Sequence, residues 1–307
     1  MKSERILFMA AESRARTFSL LIIASAIWGF QPVCIKWLLD EWSPVTITAV
    51  RYFLFSAILF AIVWHREGRQ LIPQGRTWVS LVLMGLGFML NNVLQITGIG
   101  LTTVTNSTLI SATSPANTAF LAAVFVRERL SVLSWAGIFI SFLGTLTVIS
   151  DGNLVLVSQI GFNWGDILCF LGQLAWTVYA LISIPVLKHL SAGAATAWSA
   201  LFSAFFTTAW GLVTDDLAVP LLSLPALGSF AYVLFGGGLI ATLFWNLGVQ
   251  KAGASLSAIF LNIMPVVGML GGWLVFSESI SPAKAIGAAA IFLGVYLTTH
   301  SGTKLTS

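Results

Sequence analysis

The chain has 307 residues, of which 57% are apolar and only 8% charged, with a mean hydropathy of +0.93. A water-soluble domain carries about 25% charged residues to cover its surface, so this composition excludes one and points to lipid as the solvent. Fifteen basic and eleven acidic residues, a net +4 spread along the chain, are too sparse for a nucleic-acid partner, and two cysteines, Cys34 and Cys169, supply neither a disulfide framework nor a zinc cluster.

A helix crossing the hydrocarbon needs about 20 mainly apolar residues. Segments of that kind are predicted at 18–38, 44–64, 77–97, 104–126, 132–150, 164–187, 192–213, 226–248, 255–276 and 282–300. The first carries Trp28 and Gln31. In the second, Arg51 sits seven residues from the start, roughly 10 Å deep at 1.5 Å per residue; a guanidinium there either snorkels or bonds helix-end carbonyls, or it recognises a substrate carboxylate. The third holds Asn91, Asn92 and Gln95, with Asn92 and Gln95 on one face.

The fourth and ninth spans are interrupted by Pro115 and Pro265, which free the carbonyls of Ser111 and Leu261; Asn262 lies beside the second break. Such a break is either a gating bend or a fixed kink. Gln173, Trp176 and Tyr179 line the sixth span, and the eighth carries Gly236-Gly237-Gly238, Thr242, Trp245 and Asn246. The glycines suit close packing or a hinge. The polar groups read as a substrate site, or as hydrogen-bonding glue between helices.

Only Lys36, Arg51, Asp166 and Lys284 are charged within these spans. With the N-terminus inside, twelve Lys and Arg fall on inside segments and two, Lys36 and Lys284, at outside ends, so the positive-inside rule puts both termini in the cytoplasm. Residues 1–17 lack a clear cleavage site, and the first span reads as an uncleaved anchor.

Sliding the chain along itself gives nine identities in 47 positions at an offset of 150, from Gly98 on Gly248 to Gly144 on Gly294, with Pro115 on Pro265, Glu128 on Glu278 and Ser131 on Ser281. A looser offset of 148 sets Trp28 on Trp176. Each half therefore has five spans, an odd number, and the halves run oppositely through the membrane. The expected fold is an all-α membrane protein of ten transmembrane helices in two inverted five-helix repeats: a tail 1–17, a repeat 18–150, an external linker 151–163, a repeat 164–300 and a tail 301–307.

Ile27-Trp28-Gly29, Pro44 followed by Arg51, and the Pro115 to Gly144 stretch with Glu128-Arg129-Leu130 resemble the EamA type of the drug/metabolite transporter superfamily. The second copy, Pro265 to Gly294, keeps Glu278 but has Ser279 for the arginine. The resemblance implies a ten-span carrier of the bacterial inner membrane, without a cofactor, exporting amino acids or related metabolites; a monomer is compatible with it. Its candidate substrate-binding residues are Trp28, Gln31, Asn92, Gln95, Trp176, Tyr179, Thr242, Trp245, Asn246 and Asn262, around one central cavity at the repeat interface. Uptake or exchange of another metabolite, and a non-transporting structural or sensory role, are the competing readings. An intramembrane enzyme is not expected, because no span offers His with Asp or Glu at helical spacing.

Overall fold

A computed structural model describes residues 2–121, 123–124, 130–153, 163–219, 222–252 and 260–300, with the backbone alone for 2–15, 249, 250, 252, 299 and 300. The described residues are helical, without strands: α1 Lys2–Leu38, α2 Pro44–Glu67, α3 Thr77–Leu101, α4 Val104–Ser111, α5 Ser114–Leu121, α6 Val132–Ser150, α7 Trp164–Val186, α8 Ala192–Thr214, α9 Leu224–Ala231, α10 Ala241–Ala252, α11 Ile263–Phe276 and α12 Pro282–His300. The wide-turned π segment Tyr232–Ile240 joins α9 to α10. Among the described residues six stretches are long and apolar enough to cross a membrane: Arg16–Leu38, Pro44–Leu71, Thr77–Leu101, Val132–Ser150, Trp164–Val186 and Leu224–Gly248; Ile263–Phe276 and Pro282–Thr298 are shorter. The linker 154–162, the tail 301–307, Glu128 and Arg129, and the start of the ninth predicted span lie outside the described residues.

Small polar side chains start the helices, because the first turn leaves N–H groups without intrahelical partners. Ser43 Oγ accepts Thr46 N–H at 3.1 Å just before Pro44, whose missing N–H costs nothing at that position. Asn163 caps α7 at 2.7 Å and Ser191 caps α8 at 3.1 Å. Ser131 accepts the Ser134 N–H of α6 at 3.0 Å, and Ser281 accepts the Lys284 N–H of α12 at 3.1 Å.

Glycines set the closest packing, since lipid gives little hydrophobic drive between helices and van der Waals contact must replace it. Helix α6 lies along α12, where a Cβ on Gly137 would stand 2.6 Å from Gly294 O and one on Gly144 2.7 Å from Gly287 O. Helix α3 lies along α7, with Gly98 against Gly165 and Cys169. Helix α1 packs on α10, α11 and the π segment, and α2 on α8. Val79, Leu83, Leu86 and Leu90 of α3 and Phe139, Leu143 and Leu146 of α6 point outward and exposed, a belt at helical spacing that suits hydrocarbon.

Both prolines mark real breaks. Helix α4 stops at Ser111 and α5 begins at Ser114, while residues 261 and 262 form a turn before α11. At the second break the freed carbonyl of Leu261 accepts the Met264 N–H at 3.0 Å; at the first, hydroxyls bond the neighbouring backbone, Thr113 Oγ1 to Ile110 O at 2.6 Å and Ser111 Oγ to Ser107 O at 2.8 Å.

Candidate functional site

Two sets of side chains face each other across helix pairs. In the first, Trp28 of α1 donates from Nε1 to Gly237 O at 2.8 Å and lies with its ring centroid 5.6 Å from that of Trp245 on α10. One turn on, Gln31 fills the space left by the missing Cβ of Gly237, and no hydrogen bond from its amide is found among the described residues. Tyr232 donates to Ile27 O at 3.0 Å and steadies the same wall.

In the second set, Gly87 of α3 backs onto Tyr179 of α7, which stacks on Trp176 at 5.1 Å and on Phe88 at 5.0 Å. Gln173 Nε2 donates to Gln95 Oε1 at 3.1 Å and to Ser111 Oγ at 3.0 Å. Gln95 is thus tied to α7 and to the break between α4 and α5. Asn92 is buried and committed: its Oδ1 accepts Tyr52 Oη–H at 2.7 Å, and its Nδ2 donates to Phe88 O at 2.9 Å and to Asn91 Oδ1 at 3.1 Å.

The sequence expectation sets Asn92 and Gln95 opposite Thr242, Trp245 and Asn246. The structure gives the two clusters different immediate partners, α7 and α2 for the first and α1 for the second. Thr242 and Trp245 are half-buried, whereas Asn246 and Asn262 are exposed. Arg51 is buried, its Cζ 5.2 Å from the Tyr52 ring centroid, with no carboxylate partner among the described residues.

One constellation went unread in the sequence. Glu278, in the loop before α12, accepts the Val104 and Thr105 N–H groups at 2.7 and 2.9 Å and the Thr105 hydroxyl at 2.8 Å. A carboxylate there faces the positive end of α4. Lys36 of α1 stands 3.4 Å from Glu278 and donates to Thr102 O at 2.7 Å. Beside it Asp166 accepts the Thr102 hydroxyl at 2.5 Å and both its oxygens take Asn106 Nδ2, at 3.2 and 3.1 Å; the buried Lys284 is close enough to act on Asp166 electrostatically. Five elements from both halves of the chain are tied together here. The available signal was that three of the four charges within spans are predicted at one end of the bundle.

The EamA-like transporter family model matches this chain twice, over residues 16–150 and 163–300. An uncharacterized transporter of Bacillus subtilis, YyaM, is 28% identical over 263 residues, 85% of this chain and 86% of its own length. The S-adenosylmethionine/S-adenosylhomocysteine transporter of Chlamydia muridarum is 24% identical, covering 92% of this chain and 91% of that one. An uncharacterized inner membrane transporter of Escherichia coli, YedA, is 26% identical over 92% of this chain and 90% of its own. A solved crystal structure superposes with a TM-score of 0.63 at 18% identity, covering 95% of this chain and 99% of that one, and shares the fold. The chain belongs to the EamA-like transporter family: it is a multi-pass membrane transporter and not an enzyme.

Proposed function

We propose that the protein is a secondary carrier of ten spans in two inverted repeats, 18–150 and 164–300, with both termini in the cytoplasm of a bacterial inner membrane. It moves a small amphipathic metabolite, an amino acid or a related compound, outward by alternating access.

The observation that carries this reading is the reciprocity of the glycine contacts. Gly137 meets Gly294 and Gly144 meets Gly287; at the offset of 150 the second contact is the first with its halves exchanged, as a twofold relation requires. Gly98 against Cys169 likewise corresponds to Gly248 against Leu21, and Gly87 against Tyr179 to Gly237 against Gln31, when α1 and α7 are matched at 148. Ser131 and Ser281 cap equivalent helices in the same way. Two halves so related can exchange conformations, which turns an inward opening outward.

The binding walls follow from the same relation. Trp28 and Gln31 with Trp245 form one, Trp176 and Tyr179 with Gln95 the other, and Thr242, Asn246 and Asn262 border the first. Indole faces and amide groups suit a partly apolar substrate with a polar head; the Chlamydia relative is named for two such compounds. Asn92, satisfied by its protein partners, serves to position Tyr52 and Phe88, and the turns before Pro115 and Pro265 supply the bends of gating. Arg51 meets a substrate carboxylate.

Counterflow of labelled amino acids, S-adenosylmethionine and other metabolites in proteoliposomes tests the proposal. Saturable counterflow of at least one amphipathic compound, weakened by Gln31→Leu with insertion unchanged, is expected; no counterflow of any compound in the panel would reject the carrier reading.

A further inference from the structure

The loop from α2 to α3 and the turn from α7 to α8 enclose a cavity of about 590 Å³, lined by Arg69, Gln70, Gln74, Arg76, Thr77 and His189 together with Ile72 and Leu190. It lies away from the aromatic walls and shares no residue with them. The two segments carry Arg66, Arg69, Arg76 and Lys188 against one acid, Glu67, and Glu67 is engaged by the Ser191 hydroxyl at 2.8 Å. Neither Arg69 nor Arg76 has a side-chain partner among the described residues.

Ile72 also lines a second cavity of about 440 Å³, whose other walls are Phe60, Ala61, Trp64, Leu71 and Trp198. That groove is wholly apolar in its side chains. The polar atom of Trp198 is already engaged, since Nε1 donates to Leu71 O at 2.9 Å, and Phe60 meets the Trp198 ring edge-on at 4.9 Å. Trp64 remains 55% exposed, at the level where tryptophans mark a membrane–water interface.

A cationic chamber adjoining an apolar groove, with Ile72 in the walls of both, matches one class of molecule. We propose that this is a binding site for an anionic phospholipid, with the headgroup phosphate between Arg69 and Arg76 and one acyl chain along Phe60, Trp64 and Trp198. Guanidinium forks pair well with phosphate oxygens, and basic pockets between transmembrane helices are known to hold acidic headgroups. A free phosphate satisfies the chamber but leaves the groove empty; a zwitterionic lipid fills the groove but gains little from the arginines. The inference is independent of the substrate reading.

The test is a melting titration of the full-length protein, delipidated in neutral detergent, with phosphatidylglycerol, with phosphatidylcholine of the same chains, and with glycerol 3-phosphate. Phosphatidylglycerol is expected to raise the melting temperature saturably and the other two are not. The double variant Arg69→Gln/Arg76→Gln should bind phosphatidylglycerol about thirtyfold more weakly, the fold-change given by about 1 kcal/mol per arginine. Ala61→Trp, which fills the groove and leaves the arginines in place, should also weaken it. Because these exposed positions carry no buried contact, the variants should melt near the parent without lipid; if the double variant fails to fold, Arg69→Gln alone is titrated. Equal shifts with phosphatidylcholine, an undiminished shift in the arginine variant, or a full shift with glycerol 3-phosphate alone would each overturn the proposal.

Discussion

The carboxylate of Glu278 accepts the backbone N–H of Val104 at 2.7 Å, although the two residues are 174 positions apart. The contact joins the loop before α12 to the first turn of α4, and Lys36 completes it from α1. One end of the bundle is thereby held by charge-assisted hydrogen bonds in a site largely shut from solvent.

Glu278→Gln tests what that tie is worth. The new amide can offer one oxygen but must set an NH2 against one of two N–H donors. A charge-assisted bond is lost, about 1.5 to 3 kcal/mol, and melting of the purified variant should fall accordingly. Lys36→Gln in the same background should cost less than it does in the parent, because its partner has already gone.

Tyr52→Phe removes the donor to Asn92 Oδ1 inside the protein. A buried acceptor left without a partner costs about 1 to 3 kcal/mol, so the variant should melt earlier while substrate affinity holds. Asn92→Leu should behave in the same way. A loss of affinity with unchanged melting would return Asn92 to the binding wall.

Gly294→Ala and Gly228→Ala should move stability in opposite directions. A Cβ at 294 would stand 2.5 Å from Gly137 O, whereas nothing lies within 4 Å of one at 228. Overpacking of the first kind costs about 1 to 3 kcal/mol; the second replaces glycine inside α9 and should gain about 0.5 to 1 kcal/mol. Thermal melts of both variants decide the matter.

Cysteine labelling reads the topology. Cys34 and Cys169 are both buried, so the parent should react little with an impermeant maleimide. Gln70→Cys should stay unlabelled in intact cells and Asn153→Cys should react. Equal labelling of the two would reject the inverted arrangement.

Much of the local structure was readable. The span starts predicted at 44, 77, 132, 164, 192 and 282 are helix starts in the structure, because an apolar run long enough to cross the hydrocarbon is visible within its own segment, and Pro115 and Pro265 announce breaks because each lacks a donor within its own helix. Helix α1 extends upstream of the predicted start at residue 18, through a charged stretch that hydropathy alone does not mark. What stayed hidden depends on neighbours across the bundle. The spacing of Asn92 and Gln95 puts them on a common face, but only packing reveals Tyr52 opposite one and Gln173 opposite the other. Glu278, in a short loop between apolar helices, carries no site signal in the sequence because its ligands are backbone N–H groups, which every residue but proline possesses.

The closed end also has an electrical character. Two bases there, Lys36 and Lys284, are matched by two acids, Asp166 and Glu278, so under the proposed alternating access its opening would move no net formal charge through the membrane field. Arg51, buried without a carboxylate partner among the described residues, is not balanced in this way. One elementary charge crossing 100 mV is worth about 2.3 kcal/mol, and even a part of that displacement biases a carrier that turns over empty. On the proposed reading, an anionic substrate seated on Arg51 would cancel the charge, and the loaded carrier would cross with less regard to voltage than the unloaded one.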